Sequence, residues 1–340
     1  MRKNILKLTT AIVTIATLAF GFTGCGKKND SPLTKVKLNE VTRSIFYAPM
    51  YAAIDQGFFK AEGLEIELST GGGADKTMQQ LLSGNVDIGF SGPEQVLYVY
   101  NQQRENYPIA FAQLTQKDGS FLVSRTVENN FTWESLKGKI IIGGRPGGVP
   151  EMALEYVLKN HGIDKNKDIK LITNIAFETV PAAFKGGTGD YAAIFEPTAS
   201  SIVKAQGGSL AASVGAAAGD LPYTCFYTTK NYMDKNSVII DKFTRAIYKG
   251  QLWVQKNSNE DIAKAIKSFF PGTDEALIIQ VIKNYKAIDA YAKDPVLKEE
   301  NLNRLMDIIQ SYDANLLKTR PEYNKVVNNT FADKAIKNVK

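Results

Sequence analysis

Hydrophobic and polar positions along the chain follow two periods. Apolar runs of strand length cover residues 36–42, 65–69, 86–91, 109–114 and 121–124, with amphipathic segments between the first of them. Such alternation predicts a parallel sheet covered by helices. A second series of runs follows at 139–143, 169–173, 192–196, 210–214 and 223–229. A single twisted sheet of ten strands would be unusually wide, so two sheets are expected. From residue 237 onward only helical spacing remains: Ile239, Phe243, Ile247 and Trp253 in one segment, Ile278, Val281, Ile282 and Tyr285 in another. These helices have only the sheets to cover, and are expected to close the first. The pattern therefore predicts two α/β lobes, one from 35–124 with 228–340 and one from 125–227. The chain would cross between them near 124–130 and again near 223–230. Two crossings make a hinge, and a hinge between lobes suggests closure around a ligand.

The ends change the picture. Residues 1–7 are basic and residues 8–20 almost uncharged and largely apolar, the form of a signal peptide covering 1–24. A membrane span needs about 20 apolar residues, and this run is shorter and interrupted by threonines. Small residues before Cys25 resemble the bacterial lipobox, so Cys25 is expected to be lipidated and to anchor the protein outside the cytoplasm. The polar segment 25–34 would serve as a flexible tether. Cys225 is then the one remaining thiol, and no internal disulfide is expected. Three of the basic residues, Arg2, Lys3 and Lys7, lie in the expected leader, so the formal charge of +6 overstates that of the mature chain. The remaining charges are mixed in sign, without the dense basic face that nucleic-acid binding requires. His161 is the only histidine, at an expected helix end. No Cys/His spacing suited to a metal is present, and neither cofactor nor metal is expected.

Candidate chemistry gathers where strands end, the place where α/β proteins hold ligands. Arg43, Phe46 and Tyr47 follow the first strand, where aromatic rings can stack on a ligand or pack beneath the loop. Gly72 and Gly73 precede one helix, and Arg145, Gly147 and Gly148 precede another. Free amides at a helix start suit an anion, and Arg145 would either add a partner for a sulfonate or carboxylate or form a surface salt bridge with a neighbouring acid; the same glycines also serve tight turns. Ser91 and Glu94 end the run "VDIGFSGPE", and Glu196 ends the matching "YAAIFEP", so one acid is expected from each lobe. Glu196, before its proline, is the better ligand contact of the two. An acid in a helix's first turn, as at Glu94, is favoured by the helix dipole alone. In the link between two strands leading towards the hinge, Thr115 and Gln116 could offer hydrogen bonds to the cleft, and Asp118-Gly119 reads as an ordinary turn. Tyr223 could close over the ligand at the second crossing. Cys225 reads as a buried small residue rather than a nucleophile.

The stretch "YAPMYAAIDQGFFKAEGLEIEL" and the later "GGGADKTMQQLLSGNVDIGFSGPE" resemble the binding proteins of ATP-driven importers for nitrate, aliphatic sulfonates, taurine and thiamine-pyrimidine precursors. The resemblance runs from about residue 35 to about 318. It implies the two-lobed periplasmic-binding-protein fold, type II, in a monomer that captures a small ligand and delivers it to a membrane permease with a separate ATPase subunit. Some relatives of this fold synthesise the thiamine pyrimidine from one of their own histidines. The cysteine-rich segment of those enzymes is missing here, so the chain is expected to bind rather than catalyse. Glycine-rich helix starts with Arg43 and Arg145 favour an anionic group, and Glu94 with Glu196 a cation or N–H donor. A sulfonate of the taurine type is the first expectation and an aminopyrimidine the second.

Overall fold

The computed structural model describes residues 32–175 and 179–339. The expected signal segment and Cys25 lie outside the described residues. Residues 33–340 form one compact unit built on two five-stranded sheets among the described residues. The first has the order β2-β1-β3-β10-β4 and the second β7-β6-β8-β5-β9. Their strands are β1 (Thr34–Glu40), β2 (Leu64–Thr70), β3 (Ile88–Ser91), β4 (Pro108–Thr115), β5 (Ser120–Ser124), β6 (Ile140–Ile142), β7 (Lys170–Ile172), β8 (Tyr191–Phe195), β9 (Ser209–Ser213) and β10 (Thr224–Thr229).

In the first sheet β1 runs parallel to β2 and β3, while β10 lies antiparallel between β3 and β4. In the second, β6 runs parallel to β7 and β8, and β5 lies antiparallel between β8 and β9. Both sheets are therefore mixed, each with one strand reversed against the expected parallel pattern. The two reversed strands are those that the chain crossings deliver.

Two boundaries move. The expected first crossing at 124–130 lies earlier, at 116–119, because β5 belongs to the second sheet, with Ser120 opposite Phe195. A short turn between two apolar strands reads locally like a hairpin. Here it carries the chain to the other lobe: the Asp118 carboxylate accepts from the Ser120 amide at 2.8 Å and from its hydroxyl. The second crossing lies at 219–223, just before β10 rather than within it.

Strand β3 is buried along its whole length, which explains its unbroken apolar character. Its Gly89 leaves room for the Tyr227 ring of β10, since a Cβ there would lie 2.4 Å from Tyr227 Cε2. The helix Ser237–Lys256 buries Ile240, Phe243, Ile247 and Val254 and packs against the helix Ala48–Asp55. Their backbones approach at Gly250, where a Cβ would stand 2.3 Å from the Pro49 carbonyl oxygen.

The C-terminal helices were expected to close the first lobe alone. The helix Glu299–Tyr312 packs instead on the helix Val149–Asn160 of the second lobe, with Lys159 Nζ donating to Ser311 Oγ at 3.1 Å. Asn284, on the helix Glu275–Ala287, likewise donates to Glu196. The tail thus holds both lobes. Among the described residues no helix is long and apolar enough to cross a membrane.

Candidate ligand cleft

The register brings Thr224 opposite Thr115 and Cys225 opposite Ser91, so the ends of β3 and β4 and the start of β10 share one rim. Beside that rim stands an aromatic wall. The side chain of Ser44 accepts from the Phe46 amide at 3.2 Å and fixes the short turn Ile45–Tyr47. The Phe46 ring centre then lies 4.5 Å from Tyr285, 5.6 Å from Tyr47, 5.7 Å from Tyr223 and 6.4 Å from Phe195. It presses on the first crossing, where a Cβ on Gly119 would meet its edge at 2.7 Å. Phe46 is wholly buried and serves as the packing centre of this wall. The rings of Tyr47 and Tyr223, almost buried, stand beside it. Both lobes, both crossings and the C-terminal helix meet here.

Two buried acids reach this wall. Glu94 opens the helix Glu94–Tyr100 and folds back over Gly92, where a Cβ would collide with Glu94 Oε2 at 2.0 Å. Its Oε1 accepts a long bond of 3.4 Å from Gln95, and its Oε2 has no partner among the described residues. Burial pushes its pKa up to about 7, against the pull of its own helix amide and of Gln95. Asp118, which sequence reading passed over as a turn residue, is fully buried. The Ser120 bonds occupy its Oδ1, and the Tyr223 hydroxyl bonds the same carboxyl group. Burial raises it to about 6, with Ser120 and the Tyr223 hydroxyl resisting. Thr115 Oγ1 is also buried without a partner. Ser91 is paired with the Tyr227 hydroxyl at 2.5 Å.

The groups expected to hold an anion are engaged elsewhere. Arg43 donates to Glu40 at 2.6 Å and lies over Tyr51 and Phe269. The amides of Gly72 and Gly73 both donate to the Val41 carbonyl, at 2.9 and 3.0 Å. In the second lobe the Gly144 amide donates to Glu151 Oε2 and the Gly148 amide to the Arg145 carbonyl at 3.1 Å. The Gly147 carbonyl accepts from the Tyr98 hydroxyl of the first lobe at 3.4 Å. Arg145 itself reaches across to Asp75 at 3.7 Å. The amides of Gly72, Gly73, Gly144 and Gly148 thus all have protein acceptors.

Glu196, the acid expected to contact a ligand, is engaged in the same way. It accepts from the Ser200 amide at 2.8 Å, from the Ser200 hydroxyl at 2.6 Å and from Asn284. Gln116 donates to the Asp289 carbonyl and carboxylate, at 3.0 and 3.1 Å, and so ties the crossing to the C-terminal segment. Glu151 was not singled out by sequence reading. It is fully buried, with Oε1 lacking a partner, and burial pushes it up to about 8, with the charge of Glu155 adding to the effect. Cys225 is buried, and burial raises its thiol. His161 is exposed at a helix end and stacks on Trp133, ring centres 5.4 Å apart.

The arrangement offers acceptors and an aromatic face, with no cation paired to either Glu94 or Asp118 among the described residues. Solved structures share the fold. An alkanesulfonate-binding protein, SsuA from Xanthomonas axonopodis pv. citri bound to MOPS, superposes with a TM-score of 0.68 over 88% of this chain and 100% of its own, at 15% identity. The periplasmic nitrate-binding protein NrtA from Synechocystis PCC 6803 gives 0.67 over 91% of this chain and 89% of its own, at 16% identity. In sequence, the chain is 46% identical over 329 residues to a candidate binding protein of Bacillus subtilis, YtlA, covering 97% of both. The family model described as "NMT1/THI5 like" matches residues 45–261. With a relative this similar along nearly its whole length and a family match over more than half of it, the chain belongs to the NMT1/THI5-like family of binding proteins.

Proposed function

We propose that this chain is the substrate-binding component of an ATP-driven importer, and that its cleft takes a small organic ligand bearing N–H donors or positive charge, of the aminopyrimidine type. The observation that carries the reading is the buried Glu94 Oε2, without a partner among the described residues, beside an aromatic wall that also holds the buried carboxyl of Asp118. Buried polar atoms are normally bonded, and a ligand N–H would complete Glu94 Oε2. The order of the two ligand classes is thereby reversed from the sequence expectation. A sulfonate would need cations and free amides: Arg43 is held by Glu40, the amides of Gly72, Gly73, Gly144 and Gly148 have protein acceptors, and Arg145 alone is left in a weak exposed pair with Asp75. The chain would act by capture and release rather than catalysis, anchored through Cys25 and working as a monomer with a separate permease and ATPase.

The experiment is a thermal-shift screen of protein refolded to remove any carried ligand, against aminopyrimidines, small amines, alkanesulfonates, taurine and nitrate. A true ligand at 100 times its dissociation constant adds about 2.7 kcal/mol of stability. Aminopyrimidines or amines are expected to raise the midpoint. A rise with simple alkanesulfonates or nitrate alone would overturn the ligand class.

A further inference from the structure

Glu94 opens the helix after β3 and Asp118 lies in the first crossing, yet the charge of each is felt by both Tyr47 and Tyr223. With the lobes in contact, both carboxyls are almost wholly removed from water; Glu94 keeps one oxygen without a partner among the described residues, and Asp118 meets only neutral donors, Ser120 and Tyr223. The charged groups around Glu94 are Arg145 and Asp75. These two have opposite sign, pair with each other across the lobes and are more than half exposed. The other groups facing it, Tyr98, Tyr227 and Cys225, are neutral. Asp118 faces Ser120 and Tyr223, while the neighbouring Lys117 is taken by Asp220. An ionised carboxylate buried without compensation is strongly disfavoured, and parting the lobes would return both acids to water.

We infer that Glu94 and Asp118 together act as an electrostatic brake on closure, so that the lobes shut only around a ligand that brings positive charge or N–H donors. The specificity proposed above would then come from what closure requires as well as from what the closed cleft contacts. The inference rests on that reading of the cleft, but the brake can be measured without any ligand.

The sign follows from linkage. Each acid has a higher pKa when buried, about 7 for Glu94 and about 6 for Asp118, than the ordinary 4.5 and 3.8. The closed form therefore holds more protons, and closure of the empty cleft is favoured as pH falls. The penalty on closure therefore grows as pH rises through about 6 and about 7 and is largest above pH 7.

Small-angle scattering of the ligand-free protein at pH 8 and pH 5 tests this, on the natural chain, Glu94→Gln, Asp118→Asn and the double variant. A melting curve at each pH confirms that each is folded. Both changes preserve shape, and the amide oxygen at 118 still accepts from Ser120. The natural chain should be extended at pH 8 and contract at pH 5. Each variant should already be more compact at pH 8, and the double variant should be compact at both. A natural chain whose radius of gyration ignores pH, or a double variant as extended as the natural chain at pH 8, would overturn the brake. Adding 4-aminopyrimidine or ethanesulfonate at pH 8 separates the two readings. Closure by ethanesulfonate alone defeats the ligand class, while the brake is still judged by the ligand-free profile.

Discussion

Glu94 and Glu196 hold matching places after a strand in the two lobes, and their surroundings give them opposite chemistry. Glu196 spends its acceptors on Ser200 and Asn284, whereas Glu94 keeps Oε2 free. Glu94→Gln should therefore weaken binding of an aminopyrimidine by roughly tenfold to a hundredfold, the weight of a hydrogen bond to a charged group. Glu196→Gln should act mainly on stability. Calorimetric titration beside a melting curve separates the two, and equal losses of affinity would contradict the assignment. Glu151 gives a second test. Its amide counterpart retains an acceptor for Gly144 and removes a buried charge, so Glu151→Gln should stabilise the protein by about 1–3 kcal/mol at pH 8. The gain should fade towards pH 4, because a raised folded-state pKa confers stability that is lost as pH rises; urea unfolding at the two pH values reads it. That Glu94 and Glu196 stand at strand ends was legible in the sequence. Which of them keeps a free oxygen was not, because Asn284 lies 88 residues further along the chain. Asp118 was missed for the same reason, since a turn residue becomes a buried acid only when the other crossing lies against it.

At the scale of elements, all ten strand runs read from the hydrophobic pattern are strands in the structure, within a few residues. Apolar periodicity is a local signal, and buried strands carry it clearly. Sheet membership is not local, which is why β5 was assigned to the wrong lobe. The glycine loops show a related limit: sequence marks the turn but cannot say that Gly72 and Gly73 give their amides to Val41. Gly89 shows how closely the elements fit. Tyr227 cannot simply swing away from it, because its hydroxyl is bonded to Ser91. Gly89→Ala should destabilise the fold by about 1–3 kcal/mol through overpacking, measurable by urea unfolding, and a neutral result would mean that β3 and β10 part easily.

At the scale of the whole molecule the lobes meet through Asp75–Arg145, Tyr98–Gly147 and Glu196–Asn284. The first is an exposed pair, of a kind worth well under about 1 kcal/mol. Arg145→Ala should therefore leave the melting temperature nearly unchanged and alter the scattering profile only slightly, and a large effect on either would give that pair a weight its exposure does not predict.

The position of β10 also sets the order in which the chain can assemble. All five strands of the second sheet lie between residues 120 and 213, whereas the first sheet needs residues 224–229 to fill the gap between β3 and β4. As the polypeptide emerges from the ribosome, the later-made lobe can complete its sheet first, while the earlier-made one waits with two unpaired edges. Such edges are prone to mispairing.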